Sequence, residues 1–157
     1  MAKLITENER RNLITENDEG DYEMSAIREW VNEFSILDGE KVNVDYLKED
    51  IYQYSIDRTP SNLWVKRFVD GTGGLKQVTF DFSISLPLSS KALDNLLNSK
   101  FCDDFVDIVD RRNKNKDFPE LEGAFKISCT SNGYLLQKTS TTAIYIIQLN
   151  FQYYKEI

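Results

Sequence analysis

Residues 78–86 read VTFDFSISL, and this stretch constrains the fold more than any other. Val78, Phe80, Phe82, Ile84 and Leu86 alternate with Thr79, Asp81, Ser83 and Ser85. A strict period of two is the signature of an extended strand with one buried and one wet face, because successive side chains point to opposite sides. Residues 143–154 repeat the pattern at greater length. Ala143, Tyr145, Ile147, Leu149, Phe151 and Tyr153 face one way; Ile144, Ile146, Gln148, Asn150, Gln152 and Tyr154 face the other. The second set is half apolar, so this strand is expected at the centre of a sheet or beneath a partner.

A further alternating run precedes residue 70. Leu63, Val65, Arg67 and Val69 lie on one face, and Trp64, Lys66 and Phe68 on the other. Between the runs stand Asp70, Gly71, Thr72, Gly73 and Gly74. A phosphate-binding loop would need a following Lys and Ser or Thr, then a helix whose N-terminus points at the phosphate. Here Leu75-Lys76-Gln77-Val78 and a strand follow, and neither the Walker pattern nor GxGxxG is met. The glycines are therefore expected to form a plain hairpin turn that supplies positive φ, with a tip able to touch a partner.

The remaining elements are read from period and punctuation. Asp21 is expected to cap a helix over residues 22–34, with Ile27, Trp30, Val31 and Phe34 on one apolar stripe and Asp38-Gly39 ending it. Val42, Val44 and Tyr46 suggest a short strand, and Tyr52, Tyr54 and Ile56 another, closed at Thr59-Pro60, where proline interrupts pairing. Ser89 or Ser90 is expected to cap a long helix over 91–113, with Leu93, Leu97, Phe101, Phe105, Ile108 and Val109 as its stripe. Phe125, Ile127 and Cys129 mark a strand, Asn132-Gly133 a turn, and residues 137–142 a polar loop. The expected fold is α+β: an antiparallel-rich sheet of four to five strands with two helices packed on one face, in the order helix, strands, helix, strands. One domain over 21–157 follows a polar, flexible arm over 1–20 in which LITEN occurs twice.

Composition narrows the function classes. The chain contains no histidine, which excludes Ser-His-Asp and Cys-His catalysis and any His-ligated metal. Asp103, Asp104, Asp107 and Asp110 are the nearest thing to a carboxylate cluster, but they sit opposite the stripe and read as a solvated face. Residues 16–23 are acidic without Ca²⁺-loop spacing. No enzyme, metal or cofactor is expected. The two cysteines, Cys102 and Cys129, read as reduced and buried. A net charge of −7 argues against tracking a nucleic-acid backbone. Neither a signal peptide nor a membrane-spanning helix is expected.

Taken in order, VNVDYL, YSID followed by Pro60, VKRFVDGTGGLKQVTFDFSIS, FPEL, GYLLQ and AIYIIQLNFQYY make the chain resemble small tail-completion proteins of long-tailed phages infecting Gram-positive bacteria, the tail terminators. The likeness runs from about residue 22 to the end and excludes the LITEN arm. It implies a ring, usually of six copies, that caps the tail tube and meets the head–tail connector or stopper protein. In a contractile tail it also implies contact with the last sheath ring. It places the protein in the tail–neck region of the virion, assembled in the host cytoplasm, with DNA passing through the lumen without sequence-specific contact. Another neck protein, a head-completion or stopper protein of a phage or tail-like bacteriocin, is the alternative. A small-molecule enzyme or ligand-binding domain would need a concave pocket that nothing in the sequence marks.

Partner contacts are expected at three places. The first is the hairpin tip, Asp70, Gly71, Thr72, Gly73 and Gly74, flanked by Arg67 and Lys76. The second is the basic end of the long helix, Arg111, Arg112, Lys114 and Lys116, which also suits the helix dipole. The third is the N-terminal arm through Leu4, Ile5, Leu13 and Ile14.

Overall fold

The computed structural model describes residues 22–88, 91–131, 133–139 and 141–156. The expected caps at Asp21, Ser89 and Ser90, the turn residue Asn132, and the arm residues Leu4, Ile5, Leu13 and Ile14 lie outside these. The elements in chain order are helix α1 (Tyr22–Asn32), strands β1 (Asn43–Val44), β2 (Gln53–Arg67) and β3 (Gly73–Pro87), helix α2 (Ala92–Lys114), and strands β4 (Ala124–Cys129), β5 (Tyr134–Lys138) and β6 (Thr142–Glu156). Mixed α and β content and mostly antiparallel pairing agree with the α+β expectation; among the described residues the sheet has six strands, more than the four to five expected.

The alternating strands form the middle of that sheet. β3 pairs with β6 without interruption from Gly73 opposite Glu156 to Pro87 opposite Thr142. β2 lies on the other side of β3. β4 and β5 share the far side of β6, β4 beside residues 149–153 and β5 beside 143–146. β6 is thus paired on both sides, and its apolar second face belongs to a central strand. Val78, Phe80, Phe82, Ile84 and Leu86 of β3 join Ile147, Leu149 and Phe151 of β6 in the core. The opposite face carries Ser55, Gln77, Thr79, Asp81, Ser83, Ser85, Gln148 and Gln152, with Gln148 donating to Asp81 (3.3 Å) and Gln152 to Gln77 (3.0 Å).

Both helices cover the apolar face. Phe105 of α2 stacks on Phe82 at 4.6 Å between centroids and meets Phe34, just beyond α1, at 5.3 Å. Trp30 donates its indole N–H to Asp117 O. α1 stops at Asn32, whose Oδ1 accepts the Val42 N–H, and a 3₁₀ turn over Ser35–Leu37 leads into left-handed Asp38 and Gly39.

Four expectations need correction. β2 does not close at Pro60: it runs on to Arg67, with an irregularity in register between Arg58 and Asn62. Beyond residue 56 β2 has no pairing with β1, so the missing proline N–H breaks no ladder on that edge. β5 takes in Gln137 and Lys138, the first two positions of the expected polar loop over 137–142, and β6 begins at its last, Thr142. The N-cap position of α2 is Lys91 rather than a serine. Finally, Phe105 and Val109 of the expected α2 stripe are buried and Phe101 and Ile108 pack partly buried against the core, but Leu93 and Leu97 are 66% and 54% exposed, and Asn98 and Cys102 extend the buried line in their place.

Candidate functional site

The hairpin tip is built as a turn. Phe68 N–H donates to Gly73 O and Gly71 N–H to Phe68 O. Asp70 Oδ1 accepts from both the N–H (3.0 Å) and the hydroxyl (2.7 Å) of Thr72, which hold the carboxyl below its ordinary value. Gly71 has φ 76°, as a turn with positive φ requires. Gly73 is needed for a second reason: a Cβ there would sit 2.0 Å from Lys155 O of β6. The glycines thus turn the chain and let two neighbouring strands close in, leaving no cradle of N–H groups for a phosphate.

Around the tip the surface is apolar and basic. Val65 is 51% exposed and Val69 fully so, while Lys66 and Arg67 are also exposed. The Arg67 guanidinium lies over Trp64, 5.0 Å from the ring centroid. Phe68 stacks on Tyr154, which meets Phe125 edge-on at 5.5 Å. Arg67, Asp70, Gly71 and Thr72 are therefore presented together.

Lys76 is not part of this group. It points to the covered face and pairs with Glu23 at 3.4 Å, with its side chain only 12% exposed. Glu23 is the centre of a polar cluster that sequence reasoning missed. Arg58 binds its other oxygen at 3.0 Å and the Tyr153 hydroxyl donates to it. Burial alone would raise the Glu23 carboxyl, but Tyr153, Lys76 and Arg58 overcome this and hold it below the ordinary value. Tyr153 is pushed up by burial and by Glu23, whereas Lys155 lowers the neighbouring Tyr22. Glu23 and Tyr153 stand 130 positions apart, so no local pattern announces the pair. This cluster fastens the start of α1 to the sheet.

The basic end of α2 divides in the same way. Arg112 lies over Phe34 (4.8 Å) and Trp30 (5.7 Å) and pairs with Glu33 at 3.1 Å and Asp117 at 3.6 Å. It is occupied inside the fold. Arg111, Lys114 and Lys116 are exposed, and Lys116 takes a left-handed φ of 57° where the chain leaves the helix.

Three carboxylates gather on the polar side of the sheet. Asp57 lies opposite Asp81 across β2 and β3 and interacts with Asp45. Burial, then Asp45 and Asp81, raise the Asp57 carboxyl. No group of acidic, Cys or His side chains among the described residues is arranged to hold a metal ion. Cys102 is buried and Cys129 half-buried, both free thiols. No helix among the described residues is long and apolar enough to cross a membrane.

The features best suited to a partner are therefore exposed apolar surfaces. Besides the tip these are Leu93, Leu96 and Leu97 on α2, and Tyr134, Leu135 and Leu136 on β5. Comparison with protein-family models gives no match, and comparison with curated proteins gives none either.

Proposed function

We propose that this chain is a structural virion protein, a tail terminator whose copies form a ring, most simply a hexamer, that caps the tail tube and joins it to the head–tail connector or stopper. In a contractile tail it also holds the last sheath ring. It performs no enzymatic step and carries no cofactor, and DNA passes through its lumen without sequence-specific contact. It acts in the tail–neck region after assembly in the host cytoplasm.

One observation carries this reading: the two longest segments of the resemblance are hydrogen-bonded to each other in one piece of structure. VKRFVDGTGGLKQVTFDFSIS spans the end of β2, the turn and most of β3, and AIYIIQLNFQYY is the part of β6 paired to it. The exposed apolar side chains at the tip, on α2 and on β5 support it, because a ring subunit needs unlike contact surfaces on different sides.

Negative-stain microscopy of the chain mixed with its tail-tube protein tests the function. Tubes of bounded length carrying a cap at one end are expected. Tubes that reach the same lengths with and without the chain would refute the reading. Binding to the portal side instead would identify a head-completion or stopper protein.

A further inference from the structure

The outward face of α2 changes character along its length. The helix buries Asn98, Cys102, Phe105 and Val109. At about 100° per residue, Leu93, Leu96 and Leu97 project to the opposite side, and Asp103 and Asp107 continue that same side. The leucines are 66%, 66% and 54% exposed, and both aspartates are exposed. Lys100, paired with Asp104 at 2.8 Å, stands on the same side between them, so the outer face is apolar first and, with Asp103, Asp104 and Asp107 against this one lysine, net acidic next.

The hairpin tip carries the converse: exposed Val65 and Val69 with Lys66 and Arg67 between them. The spacings agree. Leu96 to Asp103 spans about 10 Å of helix, and Lys66 to Val69 about 10 Å of extended chain.

The two patches stand at opposite ends of the sheet. Asn98 Nδ2 donates to Pro87 O at 2.7 Å, which sets the start of α2 against the last residue of β3, whereas the tip adjoins its first, Gly73. The intervening strand is about 46 Å long, so a tip cannot reach the outer leucines of its own chain.

We propose that the hairpin tip of one copy docks on the outer face of α2 of the next, with Val65 and Val69 against the leucines and Lys66 and Arg67 opposite Asp103 and Asp107. Unlike patches at two ends propagate head to tail and close into a ring when the rotation between copies permits. For that closure the proposal rests on the terminator reading, but the contact itself can be tested separately.

The test mixes full-length Val69→Cys with full-length Leu96→Cys under mild oxidation. Both positions are exposed, and the native thiols react slowly because burial raises Cys102 to about 11 and Cys129 to about 12. The mixture is expected to yield disulfide-linked pairs at least about tenfold above either variant alone. Adding Asp103→Lys and Asp107→Lys to the Leu96→Cys chain should cut the yield about tenfold, and Lys66→Glu with Arg67→Glu on the other chain should restore it. A mixture no better than the single variants, or a loss that the reciprocal swap does not restore, overturns the contact. The same charge variants in the tube-capping assay separate the two ideas. Cross-linking without capping defeats the terminator reading alone, and capping without cross-linking defeats the contact alone.

Discussion

Replacing Glu23 by alanine should destabilise the protein by about 3 kcal/mol. The Glu23 side chain is 7% exposed and holds Lys76, 12% exposed, and Arg58, 28% exposed, while accepting from the buried Tyr153 hydroxyl. Removing one member of a buried ion pair costs about 3–5 kcal/mol, because the remaining charge has lost both water and partner. The wetter Arg58 sets the expectation at the low end of that range. Glu23→Gln keeps an acceptor for Tyr153 and gives up only the charge, so about 1–2 kcal/mol is expected. Urea unfolding at constant m-value measures both.

The pH dependence carries the sign. Glu23 is held below its ordinary value of 4.5, so its contribution is complete above that pH and fades as pH falls through the folded-state value. The gap between wild type and Glu23→Gln should be flat near neutrality and shrink in strong acid. A Glu23→Ala variant within 1 kcal/mol of wild type, or a Gln gap unchanged in strong acid, would refute the claim that this cluster fastens α1 to the sheet.

Gly73→Ala should fail to fold or lose more than about 2 kcal/mol, since its Cβ would meet Lys155 O, whereas Gly71→Ala meets open space and should lose only about 1 kcal/mol from its positive φ; thermal denaturation compares them. In α2, Phe105→Ala should cost about 3–5 kcal/mol and Leu93→Ala less than about 0.5, a contrast read by urea titration. Asp57→Asn should stabilise the protein at neutral pH. The raised Asp57 carboxyl favours folding when protonated, and that support disappears as pH rises through its folded-state value, so the benefit of Asn should vanish in acid when Tm is followed against pH.

The sheet centre was legible because β3 and β6 each place apolar residues at alternate positions over a length that chance rarely produces, although the face of β3 expected to be wet is largely covered, with Thr79, Ser83 and Ser85 buried as well. The hairpin turn was legible because its glycines meet a requirement that other residues cannot. The misreadings have physical causes. Pro60 looked like a stop, but it lies beyond the pairing with β1 and in the register gap between Arg58 and Asn62 on the β3 side, so among the described residues its missing N–H interrupts no ladder. Tyr134, Leu135 and Leu136 run together without alternation, so β5 gave no period to read; pairing with β6 alone makes it a strand. In α2 the expected stripe stepped back by fours from Phe105 to Phe101, Leu97 and Leu93. Each such step overshoots a full turn by about 40°, and three of them carry Leu93 away from the buried side. Of the expected contact residues, Arg67, Asp70, Gly71 and Thr72 stay exposed, Gly73 and Gly74 are buried where β3 begins between its neighbours, and Lys76 and Arg112 are taken by Glu23 and by the aromatic pair Trp30 and Phe34. Those partners lie far away in sequence, and only the folded arrangement reveals them.

The most direct test of the account is cryo-electron microscopy of the protein assembled on tail tube, classified by end-on view. A closed ring with six-fold rotational symmetry is expected, in which every copy makes the same tip-to-α2 contact with its neighbour. A monomer bound without ring symmetry, or a pair of copies related by a two-fold axis, would contradict it.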